Sequence, residues 1–324
     1  MIRSLVRQRF FVILVLLIVM IIFFTITQER FFTLSNFTVI LTSSSILWVT
    51  AMGLTFVMIA GGFDLSVGSM MALSGIALGY FSNQLDLNLA VAIFLTLLFG
   101  VVVGGLINGI AIGKLGLSFL VITLGSSTLF IGLTQFWSGT KTSAIENKNL
   151  QILAYESLFF IPNQVVVMII VYLILLYVQK FTLFGRDIYA IGGNKEAAKL
   201  SGINTVRIIV LVYALAAGFA ALAGVIQDAR IGAASPQVGQ NLIFTATAAV
   251  LLGGTSFSGG VGGVSGTVVG VLFLGVLQNG LSVAGVADYW QLIVTGLILI
   301  GAIGLDALQQ KRRSSAARAV SDQK

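Results

Sequence analysis

Long apolar runs separated by short polar segments make up most of the chain, and this pattern predicts membrane-spanning helices. A helix needs roughly 20 apolar residues to cross a bilayer, and all ten predicted spans approach that length except the short third and eighth. The spans cover residues 10–24, 39–60, 67–81, 89–112, 119–136, 164–178, 208–227, 243–252, 264–281 and 289–305. The pattern predicts an all-α integral membrane protein with about ten transmembrane helices.

Two glycine-rich segments interrupt the apolar pattern and share a sequence motif. The first break is GGFDLSVGS at 61–69 and the second is GGTSFSGGVGG at 253–263, so both contain GGxxxSxG. Paired breaks in two halves of a chain are typical of transporters, in which short broken helices near the centre form the binding region. Because the chain contains 37 glycines, chance similarity is the alternative. Elsewhere, glycines spaced four apart, such as Gly100 and Gly104, are expected to permit close helix packing.

Asp64, in the first break, is the acidic residue most expected to lie near the apolar region. An ionised Asp at the bilayer centre costs about 2.5–3.5 kcal/mol on insertion scales, so it needs a compensating role. One interpretation is a ligand or gating contact. The other is a helix cap, because Asp64 and Ser66 precede an apolar run and either side chain can accept from free backbone N–H groups.

Composition agrees with a membrane protein and excludes several kinds of chemistry. Of the 324 residues, 57% are hydrophobic and only 9% are charged. The mean hydropathy is +1.05. With no cysteine and no histidine, the chain has no disulfides, thiolate nucleophiles or histidine-based metal sites. Without those residues or clustered carboxylates, a membrane enzyme is disfavoured.

The distribution of basic residues predicts the orientation of the chain. Alternating spans from a cytoplasmic N-terminus leave only Arg30, Lys141, Lys148 and Arg230 outside, and the other fourteen of the 18 Lys and Arg residues inside. This is a strong positive-inside bias, and it predicts that both termini are cytoplasmic. The basic tail at 311–324 is then a topology and lipid-headgroup anchor, and the net charge of +7 needs no nucleic-acid partner.

A polar segment at 184–207 lies between two long apolar runs and contains a compact helix signature. Asn194 can cap a helix, Lys195–Leu200 are strong helix formers, and Gly202 can close the helix in the left-handed conformation. A helix of two turns is unstable alone in water, so it requires support. We expect the support to come from a cytoplasmic partner protein; an ordinary loop with a helical kink is the alternative.

Neutral polar side chains and a missing motif bear on what is transported and how. The chain contains no GxxxxGK[ST] sequence, so it has no P-loop, and any ATPase must be another chain. Neutral donors and acceptors in the spans suit a neutral, polyhydroxylated solute, although hydrogen bonds between helices are the alternative role. The candidate residues of the translocation path are Asp64, Ser66, Asn108, Thr123, Thr245, Ser256 and Asn279.

Five segments together resemble the permease subunits of bacterial ABC importers for monosaccharides. They are GGFDLSVGS, FLVITLG at 119–125, AIGGNKEAAKLSGI at 190–203, GGTSFSGGVGGVSGTVVG and YWQLIVTGLIL. The resemblance is to the ribose, galactofuranose and autoinducer-2 type, which is related to branched-chain amino acid permeases, and it covers essentially the whole chain. Two departures concern the pore: positions 243–246, often Glu-Leu-Asp-Ala, are Ile-Phe-Thr-Ala, and Val261 replaces a frequent basic residue.

This resemblance implies a multi-pass permease domain at 1–310 in a bacterial inner membrane, paired with a second permease subunit. Two ATP-binding subunits would bind ATP and Mg²⁺, this chain would hold no cofactor and be no enzyme, and a solute-binding protein would deliver substrate from outside. The coupling segment that docks on the ATPase would comprise Gly192, Gly193, Asn194, Lys195, Glu196, Ala197, Ala198, Lys199, Leu200, Ser201 and Gly202. A permease for branched-chain amino acids or another small solute is the alternative, followed by a self-sufficient secondary transporter.

Overall fold

The protein is a bundle of helices with very little sheet. The computed structural model describes the backbone of residues 2–321 and the side chains of residues 11–308 and 310, so the side chains of the predicted basic tail at 311–324 lie outside the described residues. The helices are α1 (Ile2–Thr27), α2 (Leu34–Ile59), α3 (Val67–Gly79), α4 (Leu89–Gly104), α5 (Ile110–Gly113), α6 (Phe119–Ser138), α7 (Ile152–Tyr155), α8 (Asn163–Phe181), α9 (Leu183–Gly193), α10 (Lys195–Leu200), α11 (Thr205–Ile231), α12 (Leu242–Leu252), α13 (Val264–Val283) and α14 (Asp288–Ser321).

Seven helical segments in the described part of the chain are long and apolar enough to cross a membrane. They are α2, the continuous run Leu89–Gly113, α6, α8, α11, α13 and the Asp288–Leu308 part of α14. Two shorter apolar helical segments occur at Phe11–Thr27 and Leu242–Leu252. The π-helical segment Tyr80–Gln84 extends α3, and another at Gly105–Gly109 joins α4 to α5. These elements confirm the prediction of an all-α membrane protein.

Helix α11 lies at the centre and packs against α2, α3 and α4 through small residues. A Cβ atom on Gly53 of α2 would lie 3.1 Å from the Cα atom of Ala216, so the two backbones nearly touch. On α4, a Cβ atom on Gly104 would overlap the Cβ atom of Ala217, and one on Gly100 would lie 2.6 Å from that of Ala221. The predicted use of these two glycines in helix packing is therefore confirmed.

Four two-residue strands occur within residues 2–321, in the segments that connect the long helices. β1 (Ser143–Ala144) pairs antiparallel with β4 (Ala233–Ala234), and β2 (Ser157–Leu158) pairs with β3 (Ile161–Pro162). The side chain of Asn83, after α3, donates to the Ala144 carbonyl oxygen at 2.7 Å and fixes β1 against this end of α3. These contacts define the strand end of the bundle.

A non-helical segment at 235–241 runs from β4 back along α3. At its start, Ala234 lies beside Gly79, the last residue of α3. Near its end, the carbonyl oxygen of Gly239 lies against Gly68, in the first turn of α3. The segment therefore follows α3 for nearly its whole length, and we call it the re-entrant segment.

The predicted short helix in the polar segment is present as α10. The side chain of Asn194 accepts from the Ala197 N–H at 3.0 Å and caps it, and Gly202 has the left-handed conformation with φ +84°. The Ala198 side chain is buried against the bundle, so the helix does lean on other elements, as a helix of this length requires. No helix is predicted from the sequence at 183–193, where α9 lies.

Candidate transport site

The two glycine breaks and the end of α9 meet at one junction. The Gly260 N–H donates to the Ile59 carbonyl oxygen at 2.8 Å. Gly192 lies between these two backbone segments. A Cβ atom on Gly192 would overlap the Ile59 oxygen and lie 2.5 Å from the Gly260 nitrogen. Because a Cβ atom on Gly259 would lie 2.7 Å from the Cα atom of Gly61, the two breaks also touch each other. We call this contact of bare backbones the break junction.

A hydrogen-bonded network ties α9 to the end of the second break. The Tyr189 hydroxyl group donates to the Gly262 carbonyl oxygen at 2.6 Å and accepts from the Gln179 side chain, also at 2.6 Å. Gln179, on α8, also accepts from the Val264 N–H at 3.0 Å, at the start of α13. Burial raises the pKa of Tyr189, and the Gln179 hydrogen bond lowers it by less. The phenol is therefore a donor at ordinary pH, and the network links α8, α9 and α13.

The middle of the second break is anchored to α14 and to the first break. The Ser256 hydroxyl group and the Phe257 N–H both donate to Asp306 of α14, each at 3.0 Å. The Phe257 ring lies 5.2 Å from the Phe63 ring, between their centroids, so an aromatic contact joins the breaks. The predicted path residue Ser256 is thus part of the framework of the second break.

Asp64 and Ser66 of the first break form a buried cluster with Asn108. Asp64 is 1% exposed and accepts from the Ser66 N–H at 2.8 Å and from its hydroxyl group at 2.6 Å. The Asn108 amide donates to the Ser66 hydroxyl oxygen at 2.9 Å. Asp64 therefore accepts the N–H of Ser66, the residue immediately before α3, which resembles the capping role expected for it. The Ser66 side chain makes no capping hydrogen bond to α3.

The other predicted path residues lie apart from this cluster. Thr123 donates to the Phe119 carbonyl oxygen of its own helix, and Thr245 donates to the Asn241 carbonyl oxygen. Asn279 exchanges two hydrogen bonds of 2.9 Å with Asn36, which joins α13 to α2. The Asn279 contact is therefore a hydrogen bond between helices, which was the alternative to a role in the translocation path. No hydrogen bond among the described residues connects these three positions to the cluster.

A cavity of about 370 Å³ lies between α3, α6 and the re-entrant segment, and its lining contains none of the predicted path residues. Among its polar lining residues, Ser127, Thr134 and Gln135 lie in the predicted span at 119–136, and Ser69 ends the first break. One sequence feature does point to the cavity, namely the short eighth span at 243–252. A helix of that length cannot cross the membrane alone, so part of the adjoining chain must enter the membrane in non-helical form. The lining residues are Leu65, Gly68, Ser69, Ala72, Leu124, Ser127, Ile131, Thr134, Gln135, Thr140, Pro236, Gln237, Val238, Gly239, Gln240, Ile243 and Phe244.

Asp228, near the end of α11, is a buried acid that no sequence motif indicates. Its side chain is fully buried, and neither carboxylate oxygen has a hydrogen-bond partner among the described residues. A Cβ atom on Gly75 of α3 would lie 2.8 and 2.9 Å from those oxygens, so the carboxylate occupies the space that Gly75 leaves. The predicted span at 208–227 stops one residue short of it.

A multi-pass helical bundle with two converging glycine breaks, a re-entrant segment and a polar cavity defines the class of membrane transport subunits. The chain belongs to the family of permease components of the branched-chain amino acid transport system, whose family model matches residues 36–303. It is a non-catalytic transport subunit and a multi-pass inner-membrane protein. A permease component of this kind implies partner subunits that hydrolyse ATP and deliver the solute.

Several curated relatives cover most of the chain. The ribose import permease protein RbsC of Escherichia coli (strain K12) is 36% identical over 87% of this chain and 89% of its own length. RbsC of Bacillus subtilis (strain 168) is 38% identical over 79% of this chain and 80% of its own. The D-allose transport system permease protein AlsC of Escherichia coli (strain K12) is 37% identical over 89% and 88%. No solved structure gives a significant match.

Proposed function

We propose that this chain is the permease subunit of an ATP-driven ABC importer that moves a monosaccharide into the cytoplasm by alternating access. The substrate class is supported by the relatives named for ribose and D-allose. It is supported independently by the polar cavity, whose lining contains no Lys, Arg, Asp or Glu residue. A branched-chain amino acid has two ionised groups and would find no charged partner there.

The proposed topology has ten transmembrane helices with both termini in the cytoplasm. A helix lies at each predicted span, and the basic residues divide fourteen to four in favour of the inside. In this orientation α9, α10 and the break junction lie at the cytoplasmic end of the bundle, and β1 and β4 lie at the outer end. The re-entrant segment then enters from outside.

The contact of Gly192 with both breaks carries the proposal. Helix α10 exposes Lys195, Glu196, Lys199 and Leu200, the last of them by 89%, and offers these side chains to an ATPase. Three residues before α10 begins at Lys195, the backbone of Gly192 touches the backbones of Ile59 and Gly260. Because no side chain intervenes, a displacement of α10 is passed directly to both breaks.

The proposed assembly pairs this chain with a second permease subunit, two ATP-binding subunits and an external solute-binding protein. ATP and Mg²⁺ are bound by the ATPase, and lipid surrounds the bundle. The cluster of Asp64, Ser66 and Asn108 supports the inner end of the path, next to the break junction. Thr123, Thr245 and Asn279 remain candidate path residues on sequence grounds.

Reconstitution tests the proposal. The chain is purified in mild detergent with a candidate P-loop ATPase and a candidate secreted solute-binding protein, and the complex is placed in proteoliposomes. We expect uptake of radiolabelled ribose or another monosaccharide to require ATP, the ATPase and the binding protein. Uptake that persists without the ATPase would identify a secondary transporter instead, and uptake of leucine in preference to sugars would identify a branched-chain amino acid permease.

A further inference from the structure

The cavity between α3, α6 and the re-entrant segment is lined by neutral groups that both donate and accept hydrogen bonds. Its volume, about 370 Å³, lies at the lower end of the roughly 300–1,000 Å³ range of small-molecule sites. Aliphatic side chains and Phe244, which is 52% exposed, supply apolar surface between the polar groups. The seven polar lining residues are Ser69, Ser127, Thr134, Gln135, Thr140, Gln237 and Gln240.

The backbone of the re-entrant segment indicates that the cavity holds water or a polar solute rather than lipid. The segment runs without helix beside α3, from Gly79 to Gly68. Non-helical backbone at membrane depth is tolerated only where it is buried in protein or lines a water-filled cavity. Gln237 and Gln240 are exposed on this segment, and lipid offers an exposed amide no hydrogen-bond partner. Their surroundings must therefore be hydrophilic.

The inner end of the cavity is closed by a contact between backbones. A Cβ atom on Gly68 would overlap the Gly239 carbonyl oxygen, and Gly239 has a left-handed φ of +82°. A solute in the cavity therefore meets a floor made by the first turn of α3 and the re-entrant segment. Ser69, next to Gly68, donates to the Ser66 carbonyl oxygen at 2.9 Å, which connects this floor to the Asp64 cluster.

We propose that this cavity is a binding subsite for a neutral, hydroxyl-rich solute of monosaccharide size, with Gln135, Gln237 and Gln240 as the residues that determine specificity. Each amide donates and accepts, as sugar hydroxyl groups do, and the absence of charged lining residues disfavours ionic solutes. The inference rests on the proposed function, because it assigns the place where the imported sugar pauses. The three glutamines come from α6 and from the re-entrant segment.

The natural absence of cysteine makes the subsite directly testable. Gln237→Cys and Gln240→Cys are introduced separately into the complete transporter in proteoliposomes, and a hydrophilic, membrane-impermeant maleimide is added from outside during turnover. We expect the maleimide to label both variants. A saturating concentration of transported sugar should slow the labelling rate roughly fivefold, as mass action predicts when most subsites are occupied. Gln278→Cys on α13, which does not line the cavity, is the matched control and should show no sugar protection.

Discrimination between sugars provides a second readout. Gln135→Ala and Gln240→Ala should change the ratio of ribose to galactose uptake by about five- to tenfold, the equivalent of one hydrogen bond. Loss of fold or assembly would lower both rates together, so the ratio separates specificity from structure. If the wild-type complex imports sugar while labelling is unprotected and the ratio is unchanged, the subsite is wrong and the proposed function stands. If wild-type uptake itself does not require ATP, the proposed function fails.

Discussion

The hydroxyl group of Tyr189 donates a hydrogen bond of 2.6 Å to the carbonyl oxygen of Gly262, and so connects α9 to the second glycine break. The same hydroxyl accepts from Gln179, which holds the Val264 N–H with its amide oxygen. Together with the Gly192 contact, this gives α9 two separate attachments to the broken segments. A movement of α9 therefore displaces the second break as one body with the start of α13.

Tyr189→Phe should weaken coupling while leaving the fold intact. The change removes the donor to Gly262 and leaves the Gln179 amide without its acceptor, at a cost of about 1–2 kcal/mol. We expect ATP hydrolysis to continue with less sugar imported per ATP, measured by parallel uptake and phosphate-release assays. Tyr177→Phe is the matched control, since the Tyr177 ring is 62% exposed on α8. Equal stoichiometry in the two variants would contradict the proposed attachment.

Gly192→Ala should be far more harmful than Gly193→Ala. A methyl group at 192 overlaps the Ile59 carbonyl oxygen, whereas one at 193 meets nothing within 4 Å. Overpacking of this kind costs about 1–3 kcal/mol, so the first variant should lose most uptake and some thermal stability. The second should keep both and gain up to about 1 kcal/mol of stability, because alanine is the better helix former. Similar behaviour of the two variants would show that the break junction does not carry the coupling.

Asp64→Asn distinguishes a structural role from a role in solute binding. The carboxylate is 1% exposed and its hydrogen bonds go to Ser66 and Asn108, so its loss should lower stability by about 1–2 kcal/mol. The ratio of ribose to galactose uptake should not change. Asp86→Asn serves as the control, because Asp86 is exposed with φ +50°, a conformation that asparagine tolerates well. A changed ratio at unchanged melting temperature would favour the ligand interpretation.

The parts of the molecule that depend on local sequence were predictable, and those that depend on contacts between distant segments were not. The cap of α10 joins Asn194 to Ala197, three residues apart, so its signal lies within one window of sequence. The break junction joins Ile59, Gly192 and Gly260, and no local pattern specifies that their backbones touch. The shared GGxxxSxG motif indicates two related breaks, but their contact with α9 requires the packed bundle.

The polar cavity was missed for a related reason. Its wall at 235–241 looks like an outer loop in sequence, because it is polar and contains a proline and a glycine. Only its contact with Gly68 and Gly79 shows that it runs along α3. Thr123 and Asn279, by contrast, look like path residues because they are polar within apolar spans, yet they satisfy their hydrogen bonds within or between helices. Polarity in a span thus identifies a buried group without identifying its partner.

Gly75 and Asp228 should be energetically coupled across the contact of α3 and α11. Gly75→Ala places a methyl group 2.8–2.9 Å from the carboxylate oxygens and should lower the stability of the purified complex by about 1–3 kcal/mol. Asp228→Ala vacates that space and removes an acid without a hydrogen-bond partner among the described residues, so its own effect should be smaller.

In the double variant Gly75→Ala/Asp228→Ala, the new methyl group occupies the space that the carboxylate leaves. We expect it to recover most of the stability lost in Gly75→Ala, with a coupling energy within the roughly 0.5–3 kcal/mol measured for residues in contact. Thermal melts of the wild type, the two single variants and the double variant in one detergent provide the double-mutant cycle. Gly125→Ala, whose methyl group meets nothing within 4 Å, controls for the general effect of replacing a helical glycine by alanine. Additive losses would mean that Asp228 does not occupy the space beside Gly75, and that α3 and α11 pack differently there.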